Sequence, residues 1–95
     1  MDIGSDRSMT LNLAQALNDS DLAFAEFLTT GAPEVTAEQL EFLMSFAPYG
    51  DASCFTVGSG ERQCNISSDA FGITVTFADD LITIVRVDGA ANDGL

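Results

Sequence analysis

A chain of 95 residues with 15 acidic side chains, three arginines and neither lysine nor histidine carries a net charge of −12. That sign all but excludes direct binding to nucleic acid, whose phosphates must be neutralised by several cations, and it excludes adhesion to an anionic membrane surface. The missing imidazole removes Ser-His and Cys-His nucleophilic sites and the commonest zinc ligand.

The length makes one domain with a small core, and no apolar run approaches the ~18 residues a membrane helix needs. The acids are scattered from Asp2 to Asp93 without a long block. Such a pattern describes a solvated surface that keeps a small protein soluble. Its sharper reading is an acidic face aimed at a basic protein, as nucleic-acid mimics use.

Residues 1–9 are expected to be a flexible N-terminus. Met1-Asp-Ile-Gly-Ser-Asp6 resembles the leader scar left by periplasmic expression vectors, which would place the native start near Arg7 or Ser8. A single domain is expected over 10–88, followed by a flexible tail over 89–95. Thr10 to Leu17 predicts a helix whose broad apolar face is Leu11, Leu13, Ala14, Ala16 and Leu17. Asn18-Asp19-Ser20 interrupts it. Asp19 or Ser20 is placed to cap a further helical stretch from Asp21 to Thr29, and one bent helix or two fit this region equally. Gly31 and Pro33 follow as stop signals.

Thr36-Ala-Glu-Gln39 is a capping-box pattern, threonine oxygen to the backbone at Gln39 and glutamine back to the cap. It opens a helix of about Ala37 to Phe46, which Pro48 ends. Glu26–Pro33 and Glu41–Pro48 share Glu-Phe-Leu near their starts and Ala-Pro at their ends, as two similar helices would.

After Pro48 the period changes. Tyr49-Gly50-Asp51 reads as a turn, and Ala52–Val57 with Glu61–Ile66 as a hairpin. Phe71–Phe77 alternates with period two, and Leu81–Val87 is β-branched and apolar. Asp79-Asp80 supplies the tight turn between the last two strands. Pairing Phe77 with Ile82 and Val75 with Ile84 sets Thr76 opposite Thr83. A one-residue slip pairs Phe77 with Leu81 and Ile73 with Val85, and the pattern alone does not choose. The expected fold is α+β: two N-terminal helices packed on one face of a four-stranded antiparallel meander sheet.

Cys54 and Cys64 lie symmetrically about Ser59. A turn at Gly58-Ser59-Gly60 sets them opposite each other, and Cα atoms about 4.5 Å apart in a non-hydrogen-bonded pair are within bridging reach. The expectation is a structural disulfide and hence an oxidising compartment, secreted or periplasmic. The bland alternative is two reduced, buried thiols in the cytoplasm. A redox pair fits poorly, because the spacing is not Cys-x-x-Cys.

Gly58-Ser-Gly60 lacks the third glycine, lysine and following helix of a phosphate loop. Asp88–Gly94 has Ala90 at a ligand position of a calcium loop and no downstream glutamate. Asn18-Asp-Ser20 and Asn65-Ile-Ser67 fit the glycosylation tripeptide. No catalytic constellation, metal set or cofactor motif is recognised. The segment Asn65–Ala70 is the most suggestive loop, because the acid Asp69 stands beside the aromatic Phe71 at a strand entry, a combination suited to partner contact. Tyr49, Asp69 and Phe71 are the candidate partner-binding residues. An ordinary polar turn is the plainer reading of the same loop.

The run Val35-Thr-Ala-Glu-Gln-Leu40, followed by Cys54, Cys64, Asp69 and Phe71–Phe77, resembles one repeat of the β-lactamase inhibitor proteins. It also resembles the related lipoprotein domain of the outer-membrane assembly machinery (the SmpA/OmlA type). The resemblance covers about residues 35–88 and departs where the family has a glycine and this chain has Val35. There is one repeat here, where the inhibitors have two. It implies a helix pair, a disulfide near the first strands, and a sheet and loops that grip a partner. It also implies that Asp69 is the loop acid offered to an enzyme.

The expected function is a small exported protein-binding module, an enzyme inhibitor or envelope assembly factor, and not an enzyme. The alternative is a cytosolic acidic inhibitor, of nucleic-acid-mimic or immunity type, that binds a basic partner.

Overall fold

A computed structural model describes residues 3–69, 72–79 and 81–88. Three helices precede four strands: α1 (Ile3–Asn18), α2 (Leu22–Leu28), α3 (Ala37–Met44), β1 (Gly50–Thr56), β2 (Arg62–Ser67), β3 (Gly72–Ala78) and β4 (Leu81–Asp88). The strands form one antiparallel sheet in the order β1-β2-β3-β4, so the chain is α+β with a meander sheet. The region 10–29 is two helices, which makes three in all.

Helix α1 is longer than its apolar periodicity, which starts at Thr10. Its first turns are held by polar contacts to distant strands. The buried carboxylate of Asp6 accepts two hydrogen bonds from Arg62, at 2.9 Å and 3.2 Å, and Arg7 donates to the carbonyl of Ala52 at 3.1 Å. Thr10 is buried and donates to the carbonyl of Asp6 at 2.8 Å. The helix ends in a Schellman arrangement: Asp21 N–H donates to Ala16 O at 2.8 Å and Ser20 N–H to Leu17 O at 3.3 Å. Ser20 takes the left-handed conformation there, with φ of 55°. The cap of α2 is Asp21, whose carboxylate accepts from Phe24 N–H at 3.2 Å, one residue beyond the two expected. Asp19 and Ser20 are spent on closing α1.

The capping box of α3 forms as its pattern predicts, with Gln39 N–H to Thr36 Oγ1 at 3.1 Å and Thr36 N–H to Gln39 Oε1 at 3.0 Å. After Met44 the turn tightens. Phe46 N–H bonds Leu43 O and Ala47 N–H bonds Met44 O, each at 3.1 Å, before Pro48.

The three helices lie over one face of the sheet. Leu13, Leu17, Leu40 and Leu43 pack with Cys64, Ile66, Ile73, Val75, Phe77 and Ile82 in a single core. Along the hairpin, Ser53, Cys54, Phe55 and Thr56 pair with Asn65, Cys64, Gln63 and Arg62, the mirror register about Ser59. Gly60, with φ of 90°, closes the tip through its N–H to Val57 O at 2.8 Å, which a residue with a Cβ would resist.

Between β3 and β4, Phe77 pairs with Ile82, but Thr76 pairs with Ile84 and Val75 with Val85. Thr83 is therefore a bulge. Neither continuous register holds: the unslipped pairing is right next to the turn, and one inserted residue shifts everything beyond it. Ile84 is consequently on the outer face and exposed. Asp79 has φ of 56° in the turn, a conformation aspartate tolerates better than most residues. Its neighbour Asp80 lies outside the described residues.

Candidate functional site

Cys54 and Cys64 are bonded, with an S–S distance of 2.04 Å and Cα atoms 4.0 Å apart. Cys64 is buried in the core and Cys54 is half-buried. The bond therefore lies between the hairpin and the helices, where it ties β1 to β2.

At the other end of that hairpin, β2 runs out through Ser67 to Ser68 and the exposed Asp69. Tyr49 lies beneath this loop. It is 4% exposed, donates its hydroxyl proton to Leu43 O at 2.7 Å and shares a side-chain hydrogen bond with Ser68. Burial pushes its phenol up from 10.0 to about 12, and the Ser68 bond opposes that shift. Asn18 holds the backbone of Tyr49 from both sides: its amide donates to Tyr49 O at 3.1 Å and its oxygen accepts from Tyr49 N–H at 2.7 Å.

Of the three residues singled out from sequence, Asp69 is offered to solvent and Tyr49 supports the loop from inside. Phe71, which was to complete the set, lies outside the described residues. So does the rest of the calcium-like segment after Asp88. The two glycosylation-type asparagines have internal work: Asn18 clamps Tyr49, and Asn65 donates to Thr74 Oγ1 at 3.1 Å. Gly58-Ser-Gly60 is the tip of a hairpin, with no helix behind it.

The outer face of the sheet is banded. One row across the strands is Phe55, Gln63, Thr76 and Ile84, and the next is Ser53, Asn65, Thr74 and Arg86. Phe55 and Ile84 are exposed, and the central threonines are buried between their longer neighbours. On the helix side, a groove of about 220 Å³ opens between α3 and β4, lined by Val35, Gln39, Phe42, Leu43, Val85 and Val87. A shallower cleft of about 360 Å³ lies among Ser20, Leu22, Glu41, Met44 and Ser45. The groove was not foreseen from sequence. Its signals were present in Phe42, which lies off the core stripe of α3, and in the last strand of the meander, which has β3 as its one strand neighbour among the described residues.

Among the described residues no group of three or more Cys, Asp or Glu side chains converges to hold a metal ion. Among them, too, no helix is long and apolar enough to cross a membrane. Compared with protein-family models, curated proteins and solved structures, the chain matches none.

Proposed function

We propose that the protein is a small exported protein-binding module, an enzyme inhibitor or envelope assembly factor by class, which presents Asp69 to its partner from the loop after β2. The observation that carries this reading is the mounting of that loop. The exposed acid follows a strand stapled by Cys54–Cys64, and Ser68 beside it is tied to the buried Tyr49. A contact residue held in place before binding loses little conformational freedom on association. The resemblance to inhibitor repeats assigns the same role to Asp69, and the disulfide fits an oxidising compartment.

The test has two arms. Protein taken from an oxidising extract under alkylating conditions keeps its intact mass until reductant is added. Alkylation of both cysteines without reductant overturns the exported reading. Partner recovery falls at least about tenfold in Asp69→Ala, as for an interface hot spot, while the unfolding transition is unchanged. Recovery that is unaffected overturns the role of Asp69.

A second reading, an acidic inhibitor of a basic partner in the cytoplasm, is favoured by one observation. The net charge is −12, and two of the three arginines, Arg7 and Arg62, bond inward. A complex built on that charge weakens steeply with added salt, whereas one built on a positioned loop and apolar contacts does not.

A further inference from the structure

We infer that the cleft where α1 and α3 end, beside the start of α2, receives a lysine or arginine side chain of the partner protein. The inference rests on the protein-binding reading and names a second contact for it.

The cleft, of about 360 Å³, is lined by Ser20, Leu22, Glu41, Met44 and Ser45. Two of these residues close helices. Ser20 takes the left-handed position that ends α1, and Ser45 is the C-cap of α3. The two ends are held together through Tyr49, whose backbone Asn18 clamps and whose hydroxyl donates to Leu43 O.

A helix C-terminus carries partial negative charge and favours a cation in its last turn. Neither α1 nor α3 has a basic residue there. The opposite charge at the N-terminus of α2 is answered within the chain, by the Asp21 carboxylate that accepts from Phe24 N–H. Glu41 then adds a full negative charge to the cleft wall. It is exposed, and its carboxylate takes part in no hydrogen bond or ion pair among the described residues.

The chain supplies no counter-charge of its own. Residues 8–61 contain no arginine, lysine or histidine. Arg7 bonds to β1, Arg62 to Asp6 and the β3–β4 turn, and Arg86 belongs to the outer face of the sheet, away from the helices. For the same reason a second copy of this chain is a poor source of the cation.

The apolar part of the wall selects the kind of cation. Leu22 and Met44 are partly buried against the core and lie among the carboxylate and the two hydroxyls. Lysine and arginine lay an aliphatic stem along apolar surface and keep the charged head among polar groups. A methionine wall adapts to the stem it meets.

The probe is an acetylated and amidated Gly-Arg-Gly peptide, titrated into the intact protein and followed by amide chemical shifts in NMR. Its control carries citrulline in place of arginine, which keeps the length and the planar head and removes the charge. The expected result is shifts centred on Ser20, Leu22, Glu41, Met44 and Ser45. Binding of the citrulline peptide is at least about tenfold weaker, since it loses a charge-assisted contact. Glu41→Gln lowers affinity for the arginine peptide at least about threefold, the size of an exposed pair. Glu61→Gln, which removes the same charge at the hairpin tip, does not.

Equal binding of the two peptides to the unsubstituted protein overturns the inference, whatever the variants do. Shifts spread over acids elsewhere overturn it too, as does an equal effect of Glu41→Gln and Glu61→Gln, since the attraction is then that of the net charge. Free arginine that binds more tightly than the blocked peptide overturns it in favour of a small molecule. Calcium chloride that moves the same amides at a concentration at least about tenfold lower overturns it in favour of a metal ion. A dimer in sedimentation that Glu41→Gln dissociates overturns it in favour of a second copy. Partner recovery lost in Asp69→Ala, with no peptide shifts at the cleft, overturns the cleft and leaves the protein-binding reading standing. Cleft shifts with recovery unaffected in Asp69→Ala support the cleft and overturn the role of Asp69.

Discussion

Tyr49 shows how one side chain serves both the fold and the loop. Its ring is in the core, and its hydroxyl joins the end of α3 at Leu43 to Ser68 beside Asp69. The phenol is held in its protonated form up to about pH 12 in the folded chain, against 10.0 when exposed. The folded state therefore binds more protons than the unfolded chain in that interval. Tyr49 contributes its full stabilisation below about pH 10 and loses it as pH rises toward 12. The total is on the order of 2–3 kcal/mol, at ~1.4 kcal/mol per unit.

Because the chain has one tyrosine and no tryptophan, ultraviolet titration of the phenolate band follows this group alone. The expected midpoint is near 12 in the folded protein, and a midpoint at the ordinary tyrosine value sinks the assignment. Ser20 makes the opposite kind of contribution. Its positive φ of 55° costs an L-residue roughly 1–2 kcal/mol, partly recovered because glycine loses more freedom on folding. Ser20→Gly is expected to raise stability by about 0.5–1 kcal/mol, read as a higher denaturant midpoint with an unchanged slope.

The hairpin β1–β2 is the element that the cysteines control. The bond spans a sequence separation of 10 residues, and closing so short a loop in the unfolded chain is worth on the order of 3 kcal/mol. That is a large share of the ~5–15 kcal/mol of a whole domain. The double variant Cys54→Ala, Cys64→Ala is expected to lose about this much in denaturant unfolding. A loss below about 1 kcal/mol would show that the unfolded chain is not restrained by the bond.

This hairpin was legible in the sequence because its symmetry about Ser59 is local, as was the capping box of Thr36 and Gln39. The first turns of α1 were not. Gly4-Ser-Asp-Arg-Ser8 has no apolar period, and the partner that holds Asp6 is Arg62, 56 positions away. The β3–β4 register was hidden for a different reason. The pattern of Leu81–Val87 suits either face, and only the bulge at Thr83 decides which side each residue takes. The candidate site divides in the same way. Asp69 is exposed where the polar loop suggested. Tyr49 is inside, because an aromatic ring beside a turn is drawn into a small core when its hydroxyl finds partners there. The α3–β4 groove depends on strand order and packing, which no single segment encodes.

At the scale of the molecule, charge is the dominant unbalanced term. The folded chain spans 32 × 32 × 23 Å and carries −12. At ~0.01 M salt the Debye length is about 30 Å, so every carboxylate feels every other; at ~0.15 M it is about 8 Å, and only neighbours interact. Opposing this is the Asp6–Arg62 pair, whose carboxylate is buried beside a partly covered guanidinium that also lies 5.9 Å from the ring centroid of Phe77 and donates to the Asp79 carbonyl. Buried or partly buried pairs are screened much less than exposed charges. Added salt therefore relieves the general repulsion while leaving this attraction largely in place. Because compaction concentrates like charge, folding stability is expected to rise with sodium chloride from ~0.01 M to ~0.15 M and then flatten, once the Debye length is shorter than the separation between most acids. Thermal unfolding across that series measures it. A stability that falls with salt would mean that the internal ion pair outweighs the surface repulsion. Asp6→Asn should then abolish the fall, since it removes the carboxylate charge and keeps the side chain's shape.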